Sequence, residues 1–371
     1  MITLKNQYVL KLDIAHFKDF VSVVDFIDLV YIEDSAMRLP TIEISFILRD
    51  EKIIAYLNEG SILTVGIGKD ELSMLDLRFR VIGDYTTKRP TVGSKVKLQG
   101  IHDDFNFSEK RQIESYRLQS SLDVVKKVSK KYFPTFKTNL DKTNDTRNWQ
   151  QHSDSWSFLR NVCAQGFLNS NTFLVGGFDN DTFYYYDFKQ KFKHATENPS
   201  SVTVFSKIKT GGNIINYNSS NVISTPGATS RVLGYDSINI EYNWLDYTVS
   251  TYSDNLLSFT SLDTAKLPII DGYKRTNYRN SFGQSSSNTA LTHNAKNMIL
   301  NGNTLIFISF GGQFKKLKIF DIVMIDETGD KRINGLSMVS RIAYQIVNNQ
   351  LYTNITLVRE SINGLKGESL Q

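Results

Sequence analysis

The sequence predicts a mainly β protein in which two β-rich regions are separated by an α+β insertion. The chain has 371 residues, which is enough for two or more domains with cores of their own. It contains 18 Tyr and 23 Phe but only 6 Pro, and this mix favours strands and turns. The apolar residues alternate with polar ones near both ends of the chain and follow a helical period in between.

Alternation defines the first region, residues 1–118. Four apolar residues alternate with polar ones along one predicted strand: Ile42, Ile44, Phe46 and Leu48. Turn residues at Asn58-Glu59-Gly60 and at Gly68-Lys69-Asp70 separate such strands from one another. Because alternation places one face of a sheet in a core and the other in water, this region predicts a small β-barrel or sandwich.

Helical spacing begins at Ser120 and opens an inserted module that we assign to residues 119–210. The apolar stripe of the first predicted helix consists of Leu122, Val125 and Val128. Ser121 and Asp123 suit its N-cap and first turn. Phe133-Pro134 ends the helix, because the residue before a proline avoids the helical conformation.

A second helix and a hairpin complete the inserted module. Three- and four-residue spacing of apolar residues predicts a helix from Ser153 to about Gly166. The segment from Phe173 to Phe188 predicts a β-hairpin that turns at Asp179-Asn180-Asp181. The module therefore has the order helix, helix, hairpin, and it interrupts a larger β framework.

Residues 211–250 and 300–362 are assigned to a second β-barrel-like domain, and residues 251–299 to an accessory insertion. The four closing strands are predicted at Leu305–Phe310, Leu317–Ile325, Met338–Val347 and Leu351–Val358. A Gly- and Asn-rich stretch, residues 209–230, predicts a domain crossing or an exposed loop. Residues 363–371 lack periodicity and are predicted to form a flexible tail.

No motif for a catalytic, cofactor or metal site is recognisable, so we predict no such site residues and no enzyme. The histidines lie far apart, without metal-ligand spacing: His16, His102, His152, His194 and His293. We interpret His102-Asp103-Asp104 as an exposed polar loop. Cys163, the one cysteine, is interpreted as a buried small hydrophobe. Gly66 and Gly68 lack the third glycine of a dinucleotide motif. A pair of catalytic carboxylates stays open, because folding rather than spacing sets such a pair.

Two surface features have competing interpretations. Four lysines, at positions 126, 127, 130 and 131, form the polar face of the first helix, which we interpret as a solvated face rather than a phosphate-binding surface. The net charge of +5 is spread along the chain and does not by itself predict a nucleic-acid footprint. The aromatic run from Phe183 to Tyr186 is interpreted as a strand packed on two sides rather than a base-stacking platform.

Several short segments, taken in order, resemble one known family. Ser121–Val125 opens a helix, Arg147-Asn148-Trp149 precedes Trp156–Val162, and the hairpin ends in Tyr186-Asp187-Phe188. Two further segments agree, Phe26–Leu48 with its Leu39-Pro40 step and the closing strands from Leu336 to Val358. Over nearly the whole chain this order resembles the baseplate hub proteins of contractile-tailed phages. The same family includes the hub portion of the valine-glycine-repeat spike proteins of type VI secretion.

The resemblance implies two similar β-barrel tube domains per chain and a homotrimer with pseudo-sixfold symmetry. Such a ring would connect the hexameric tail tube, or a tube-initiator protein, to the trimeric central spike. It also implies contact with the C-terminus of the tape measure protein and with baseplate wedge proteins. DNA would cross the channel without sequence recognition. The expected location is the tail baseplate of a virion, assembled in the host cytoplasm, without stable membrane insertion.

Two alternatives come from the same composition. Aromatic and Asn-rich strands are also typical of glycan-active or carbohydrate-binding virion proteins, which require opposed carboxylates or an exposed aromatic platform. A capsid-type β protein shares the composition but should lack a helix-helix-hairpin insertion between two matching barrels. No cofactor is expected in any of these interpretations.

Overall fold

The computed structural model describes most of the first two hundred residues and a set of strands beyond them. The described residues are 2–3, 9–14, 24–34, 37–48, 57–68, 74–89, 93–169, 172, 174–206, 214–221, 229–236, 241–248, 274–281, 304–311, 317–326, 335–348 and 350–359. No helix among them is long and apolar enough to cross a membrane. The predicted tail, residues 363–371, lies outside these ranges.

Seven strands make up the N-terminal region. They are β1 (Ile2–Thr3), β2 (Val9–Ile14), β3 (Val24–Asp34), β4 (Thr41–Leu48), β5 (Ile62–Gly68), β6 (Leu75–Arg89) and β7 (Gly93–His102). All neighbours in this region pair antiparallel, in the order β1-β2-β5-β6-β7-β4-β3. The alternation predicted for β4 is confirmed, since Ile42, Ile44, Phe46 and Leu48 are all buried.

This sheet curls around its own core. Tyr31 of β3 and Phe79 of β6 are separated in the sheet by two other strands, yet their ring centroids lie 5.4 Å apart. In a flat sheet the same strands would be about 14 Å apart, at about 4.8 Å per strand. The alternate residues of β2 to β7 therefore meet inside the curl, and they belong to a hydrophobic cluster that also contains residues from the C-terminal half of the chain, such as Val323 and Ile342.

The inserted module contains four helices and five strands. They are α1 (Phe105–Ser108), β8 (Glu114–Gln119), α2 (Ser121–Ser129), β9 (Thr135–Thr138), β10 (Arg147–Gln151), α3 (Ser155–Gln165), β11 (Leu174–Phe178), β12 (Thr182–Asp187) and α4 (Phe188–Glu197). Strand β8 pairs with β10, and the predicted hairpin β11-β12 is extended by the parallel strand β9. Helices α2 and α3 pack against this small sheet and share a core with it. The two predicted helices and the hairpin are present. Strands β8, β9 and β10 and helix α4 were not predicted.

The caps of α2 and α3 follow ordinary helix chemistry, with one correction. Ser120, not Ser121, is the N-cap of α2, and its hydroxyl accepts from the backbone N–H of Asp123. Ser121 is instead fully buried in the first turn, within hydrogen-bond distance of Thr143 and Tyr185. Asp154 caps α3 through the N–H of Ser157. The serine predicted as a cap thus serves the core of the module.

The C-terminal half of the chain contributes two groups of strands. The strands are β13 (Thr203–Ser206), β14 (Ile214–Asn221), β15 (Thr229–Asp236), β16 (Glu241–Thr248), β17 (Lys274–Ser281), β18 (Thr304–Gly311), β19 (Ile322–Asp326), β20 (Gly335–Val347) and β21 (Gln350–Arg359). Strands β15, β16 and β17 form a separate three-stranded sheet. The others join the large sheet through β20, which pairs with β3.

The strand assignments differ from the predicted division in four respects. Strand β13 pairs with β19 and so belongs with the second β region, although the module was expected to extend to residue 210. Strand β14 occupies part of the stretch 209–230 predicted as a crossing or loop, because its polar residues pair through the backbone. Of the stretch 211–250, only β14 joins the large sheet, since β15 and β16 pair with β17. Strand β19 begins at Ile322, after a turn that the predicted strand Leu317–Ile325 had included.

Two groups of six strands repeat the same order. We name β2 to β7 the first β unit, and β13, β14 and β18 to β21 the second β unit. Numbered by position along the chain, the strands of both units are arranged as 1-4-5-6-3-2. The one difference in direction concerns the first strand of each unit, which pairs antiparallel in the first unit and parallel in the second. The two β regions therefore share one topology.

Candidate assembly interface

A tight turn precedes the fourth strand of each unit. The N–H of Ser61 donates to the carbonyl of Asn58 at 3.0 Å, and the N–H of Asp321 donates to that of Lys318 at 3.1 Å. The third residue of each turn is left-handed, Gly60 with φ +85° and Phe320 with φ +67°. Glycine adopts this conformation freely, whereas a side chain at Cβ opposes it. The second unit therefore keeps the geometry of the turn against a steric cost.

The same two hydrogen bonds connect each turn to the fifth strand of its unit. We call these fifth strands, β6 and β20, the long strands. In the first unit Gly60 donates to Val81 at 2.8 Å and Val81 donates to Ser61 at 2.9 Å. In the second unit, Phe320 donates to Val339 and Val339 donates to Asp321, both at 2.8 Å. Val81 and Val339 thus occupy equivalent positions in the two units.

A β-bulge follows each of these valines. The pairing of β6 with β7 shifts between Val81 and Gly83, and that of β20 with β21 shifts between Val339 and Arg341. A bulge bends its strand and increases the local twist. Beyond the bulge, each long strand no longer pairs with the fourth strand of its unit but still pairs with the sixth. One edge of the long strand is then available to another partner.

In β20 this available edge is occupied by β3, which joins the two units. Six residues of each strand are paired, from Arg341 with Asp34 to Ile346 with Leu29. At the centre of this seam, the ring of Tyr31 stacks on that of Tyr344 at a centroid distance of 6.0 Å. Both tyrosines are buried. We call the β3·β20 contact the intrachain seam.

The equivalent edges elsewhere are open within the described part of the chain. From Gly83 to Arg89, β6 pairs with β7 along one edge and with no described strand along the other. Strand β14, which corresponds to β3, pairs with β18 along one edge only among these strands. Ile82 lies at the bulge where the open edge of β6 begins, and its relative solvent exposure is 46%. Unpaired edges of this length are ready-made sites for another strand.

The hairpin turn of the module lies between the two units. The carboxylate of Asp179 accepts from the Tyr184 hydroxyl at 2.5 Å, from the N–H of Thr182 at 2.7 Å and from Lys318 at 3.2 Å. Lys318 belongs to the repeated turn of the second unit. Because Asp179 is almost fully buried, these donors replace the hydration that its carboxylate loses.

The module packs on the second unit through aromatic contacts around Phe320. Its buried ring meets Tyr184 and Tyr186 edge to face, with centroid distances of 6.1 and 6.3 Å. A Cβ on Gly177 would lie 2.7 Å from the Phe320 ring, so the hairpin reaches this ring only because residue 177 is glycine. Burial of Phe320 against the module offsets the steric cost of its left-handed backbone.

His102 corrects one of the sequence interpretations. It is buried among the rings of Phe107, Phe133 and Phe178, instead of lying in an exposed loop. Its Nε2 is 3.3 Å from the carbonyl of Asn180 in the hairpin turn. The neighbouring Asp103 pairs with Arg78 and Arg80 of β6 at 2.6 and 3.0 Å. The segment after β7 therefore fixes the module to the first unit.

Burial lowers the pKa of His102, and the bond to Asn180 and the carboxylates of Asp104, Asp103 and Asp181 oppose this effect only in part. Below pH about 6.5 the unfolded chain binds a proton that the folded chain does not, so stability falls as the pH falls. We therefore expect acidification from pH about 7.5 to about 5.5 to lower the free energy of unfolding through this residue.

The measurement is urea unfolding of the protein and of a His102→Gln variant at both pH values. The variant should be less stable at the higher pH and should lose less on acidification. The exposed His194 of α4 provides the matched control, since His194→Gln should keep the pH dependence of the parent. An identical loss on acidification with and without His102 would contradict the assignment.

The structure also locates the other residues that were singled out in the sequence. Cys163 is buried, next to Gly176 of the hairpin, as interpreted. Lys126, Lys127 and Lys130 are exposed on α2, and Lys131 pairs with Glu114 at 2.6 Å. Phe183, Tyr184 and Tyr185 are buried, which agrees with a packed strand. Gly66 lies inside β5 and not in a phosphate loop.

No group of three or more metal-ligating side chains is present among the described residues. Among the residues whose side-chain exposure the structure describes, the exposed large hydrophobics are aliphatic: Ile82, Ile113, Leu118 and Val204. A carbohydrate platform requires exposed aromatic rings, so this part of the surface gives that hypothesis no support. The repeated turn and the two open edges are the features that sequence reasoning missed. Alignment of Leu57–Leu63 with Leu317–Val323 could have revealed the turn, because both read leucine, four variable residues, isoleucine and an aliphatic residue.

Comparison with known proteins gives this architecture its context. No family model and no curated protein matches the sequence. The 43 kDa tail protein of prophage MuSo2 from Shewanella oneidensis superposes with a TM-score of 0.63 at 10% identity, over 95% of this chain and 98% of that one. A tail protein from Neisseria meningitidis gives 0.61 at 11% identity, over 96% and 98%. The chain has the fold of these tail proteins.

A third similar structure extends the comparison to secretion machines. The c3393 protein of E. coli is described as a component of the type VI secretion system with structural similarity to the T4 phage tail proteins gp27 and gp5. It gives a TM-score of 0.55 at 9% identity, over 95% of this chain and 78% of that one. The resemblance seen in the sequence is confirmed at the level of the fold.

Proposed function

We propose that this chain is a structural, non-enzymatic hub subunit that joins a hexameric tail tube to a trimeric central spike. The observation that carries the proposal is the repeat of one topology, one left-handed turn and one bulge in two β units of a single chain. Three chains bring six such units to a ring. A trimer can then offer a tube six nearly equivalent contacts and still offer a spike three.

The intrachain seam supports ring formation. It is a heterologous contact, in which the long strand of one unit accepts the second strand of the other. Heterologous contacts close into rings when their rotation allows it. One seam lies inside each chain, and the matching edges of β6 and β14 are open in the described chain. Three copies can therefore use the same contact between chains.

Features that occur once per chain suit the threefold side of such a ring. The inserted module and the β15-β16-β17 sheet have no counterpart in the first β unit. We assign the spike to the face that carries the inserted module and the tail tube or tube-initiator protein to the opposite face. Three further partners belong to the proposal: the tape measure C-terminus in the lumen, wedge proteins outside, and DNA in transit.

The proposal places the protein in a virion tail baseplate, assembled in the host cytoplasm. The domain division follows from it in revised form, with the two β units as tube domains, the module between β7 and β13 as the first insertion, and the β15-β16-β17 sheet within the second.

The test is the mass of the purified chain in solution. Light scattering coupled to size exclusion, and mass photometry at nanomolar concentration, should give a particle of about 127 kDa, three times the chain mass of 42.3 kDa. If the isolated chain stays monomeric, a spike protein encoded alongside it should induce the trimer. A monomer in both conditions, or a closed dimer, would contradict the proposed ring.

A further inference from the structure

The internal repeat fixes which residues of neighbouring chains should pair, and this inference rests on the proposed ring. The equivalence of Val81 and Val339 sets the correspondence of the two long strands. The bulges lie at equivalent positions, because pairing resumes at Gly83 in β6 and at Arg341 in β20, each two residues after its valine. Counted from there, the segment 84–88 of β6 corresponds to 342–346 of β20, the segment that forms the intrachain seam.

The correspondence of β3 and β14 follows from the strands between. Successive pairing partners across the first unit are Gly83, Gln99, Glu43 and Val30. The same steps across the second unit lead through Arg341, Thr356, Phe307 and Asn218. Val30 and Asn218 therefore occupy equivalent positions, and the segment 29–33 corresponds to 217–221. Both strands also have a bulge near their start, after Val24 and after Ile214, within about two residues of equivalent positions.

We propose that β14 of one chain adds to the open edge of β6 in a second copy, antiparallel and in the register of the intrachain seam. The predicted pairs are Asp84 with Asn221, Tyr85 with Ser220, Thr86 with Ser219, Thr87 with Asn218, and Lys88 with Tyr217. We call this contact the interchain seam. It occurs three times in the ring and alternates with the intrachain seam.

The residue types at this seam fit a contact that forms after folding. The intrachain seam has a buried Tyr31–Tyr344 stack at its centre, and the equivalent pair between chains is Thr86 with Ser219. Threonine and serine are small, so the backbone ladder rather than ring stacking would supply the contact at this pair. Lys88 and Arg89 add charge at the end of β6, a common protection of open edges against unwanted pairing.

Cysteine cross-linking of the trimer tests the register. Variants with Thr86→Cys and Ser219→Cys, and with Thr87→Cys and Asn218→Cys, place thiols at two adjacent pairs. Adjacent pairs alternate between wide and close spacing, so at least one should oxidise readily. On a non-reducing gel, covalent dimers and trimers should replace most of the monomer, without larger species. The native Cys163 is buried, so the parent protein should stay monomeric on that gel.

Three control variants separate this seam from its alternatives. Lys88→Cys with Asn221→Cys puts the thiols four residues out of register, about 13 Å apart, too far for a disulfide. Each single-cysteine variant should also fail to cross-link. Covalent dimers from Thr86→Cys alone or from Ser219→Cys alone would mean like-with-like pairing and would overturn the inference, as would cross-linking of the shifted pair.

Hydrogen exchange of the unsubstituted protein gives a second readout that needs no cysteine. Amides of residues 83–89 and 214–221 that face the open edges, where no described strand of the same chain pairs with them, should exchange slowly in the trimer. A trimer that neither cross-links at these pairs nor protects these amides overturns the interchain seam and leaves the proposed ring standing. A chain that never trimerises overturns the ring first.

Discussion

Tyr344→Ala is expected to lower the free energy of unfolding by about 3 to 5 kcal/mol, the range for removal of a large buried aromatic side chain. Tyr344 is buried at the centre of the intrachain seam, stacked on Tyr31, whose ring also contacts Phe79 inside the first β unit. Its removal leaves a cavity where the two units meet. Urea unfolding followed by circular dichroism measures the effect.

Tyr352 supplies a matched control on the neighbouring strand. It lies opposite Gln345 on β21, is only half-buried, and donates its hydroxyl to Gln350 at 2.6 Å. Tyr352→Ala should therefore cost clearly less than Tyr344→Ala. A double-mutant cycle of Tyr31→Leu and Tyr344→Leu should give a coupling of about 0.5 to 1.5 kcal/mol. Equal losses for Tyr344→Ala and Tyr352→Ala, or no coupling, would contradict the described seam.

Phe320→Ala is the second substitution with a large expected effect, again about 3 to 5 kcal/mol. The lost ring contacts Tyr184 and Tyr186, so the variant should loosen the module from the second unit. Phe320→Gly removes the same ring but suits the left-handed backbone. It should be about 1 kcal/mol more stable than Phe320→Ala, which reverses the usual order of alanine and glycine.

Gly60→Ala in the first unit isolates the backbone contribution. A Cβ at Gly60 would have no atom within 4 Å, so the variant should lose only the conformational cost of φ +85°, about 1 kcal/mol. Chemical denaturation of all three variants gives the comparison. If Phe320→Ala proves at least as stable as Phe320→Gly, the left-handed assignment of this turn is wrong.

The sequence predicted the elements whose signal is local. The alternation of Ile42 to Leu48, the stripe of α2 and the turn of the β11-β12 hairpin each depend on residues a few positions apart. These periods reflect which side chains face a core, and burial in the structure follows them. Asn348, between the last two predicted strands, has a left-handed backbone, which asparagine tolerates better than most residues.

What the sequence did not predict depends on partners far along the chain. Strand β14 is rich in Asn and Ser, which resembles a loop, and it becomes a strand because β18 offers it a backbone ladder. The pairing of β3 with β20 joins segments about three hundred residues apart, with no local signal. His102 looked polar and exposed, yet the aromatic residues of the module cover it. Tertiary context decides in each case.

One turn residue distinguishes the two units. The repeated turn presents Gly60 in the first unit and Phe320 in the second, so only the second of these two turns offers a ring to the module. In the proposed trimer, this difference would let a sixfold-like framework carry a threefold attachment. The β framework would contact a tube. The module and the accessory sheet would make every second β unit of the ring different from its neighbours.

Electron microscopy of the isolated particle, viewed down its axis, tests the proposed trimeric ring most directly. We expect a closed ring of six similar β densities around a channel, with an extra density at every second position. Averaging with sixfold symmetry should preserve the β ring and blur only the three inserted modules. A ring of three separate lobes, or one in which the two units of each chain lie at different heights or radii, would contradict the account.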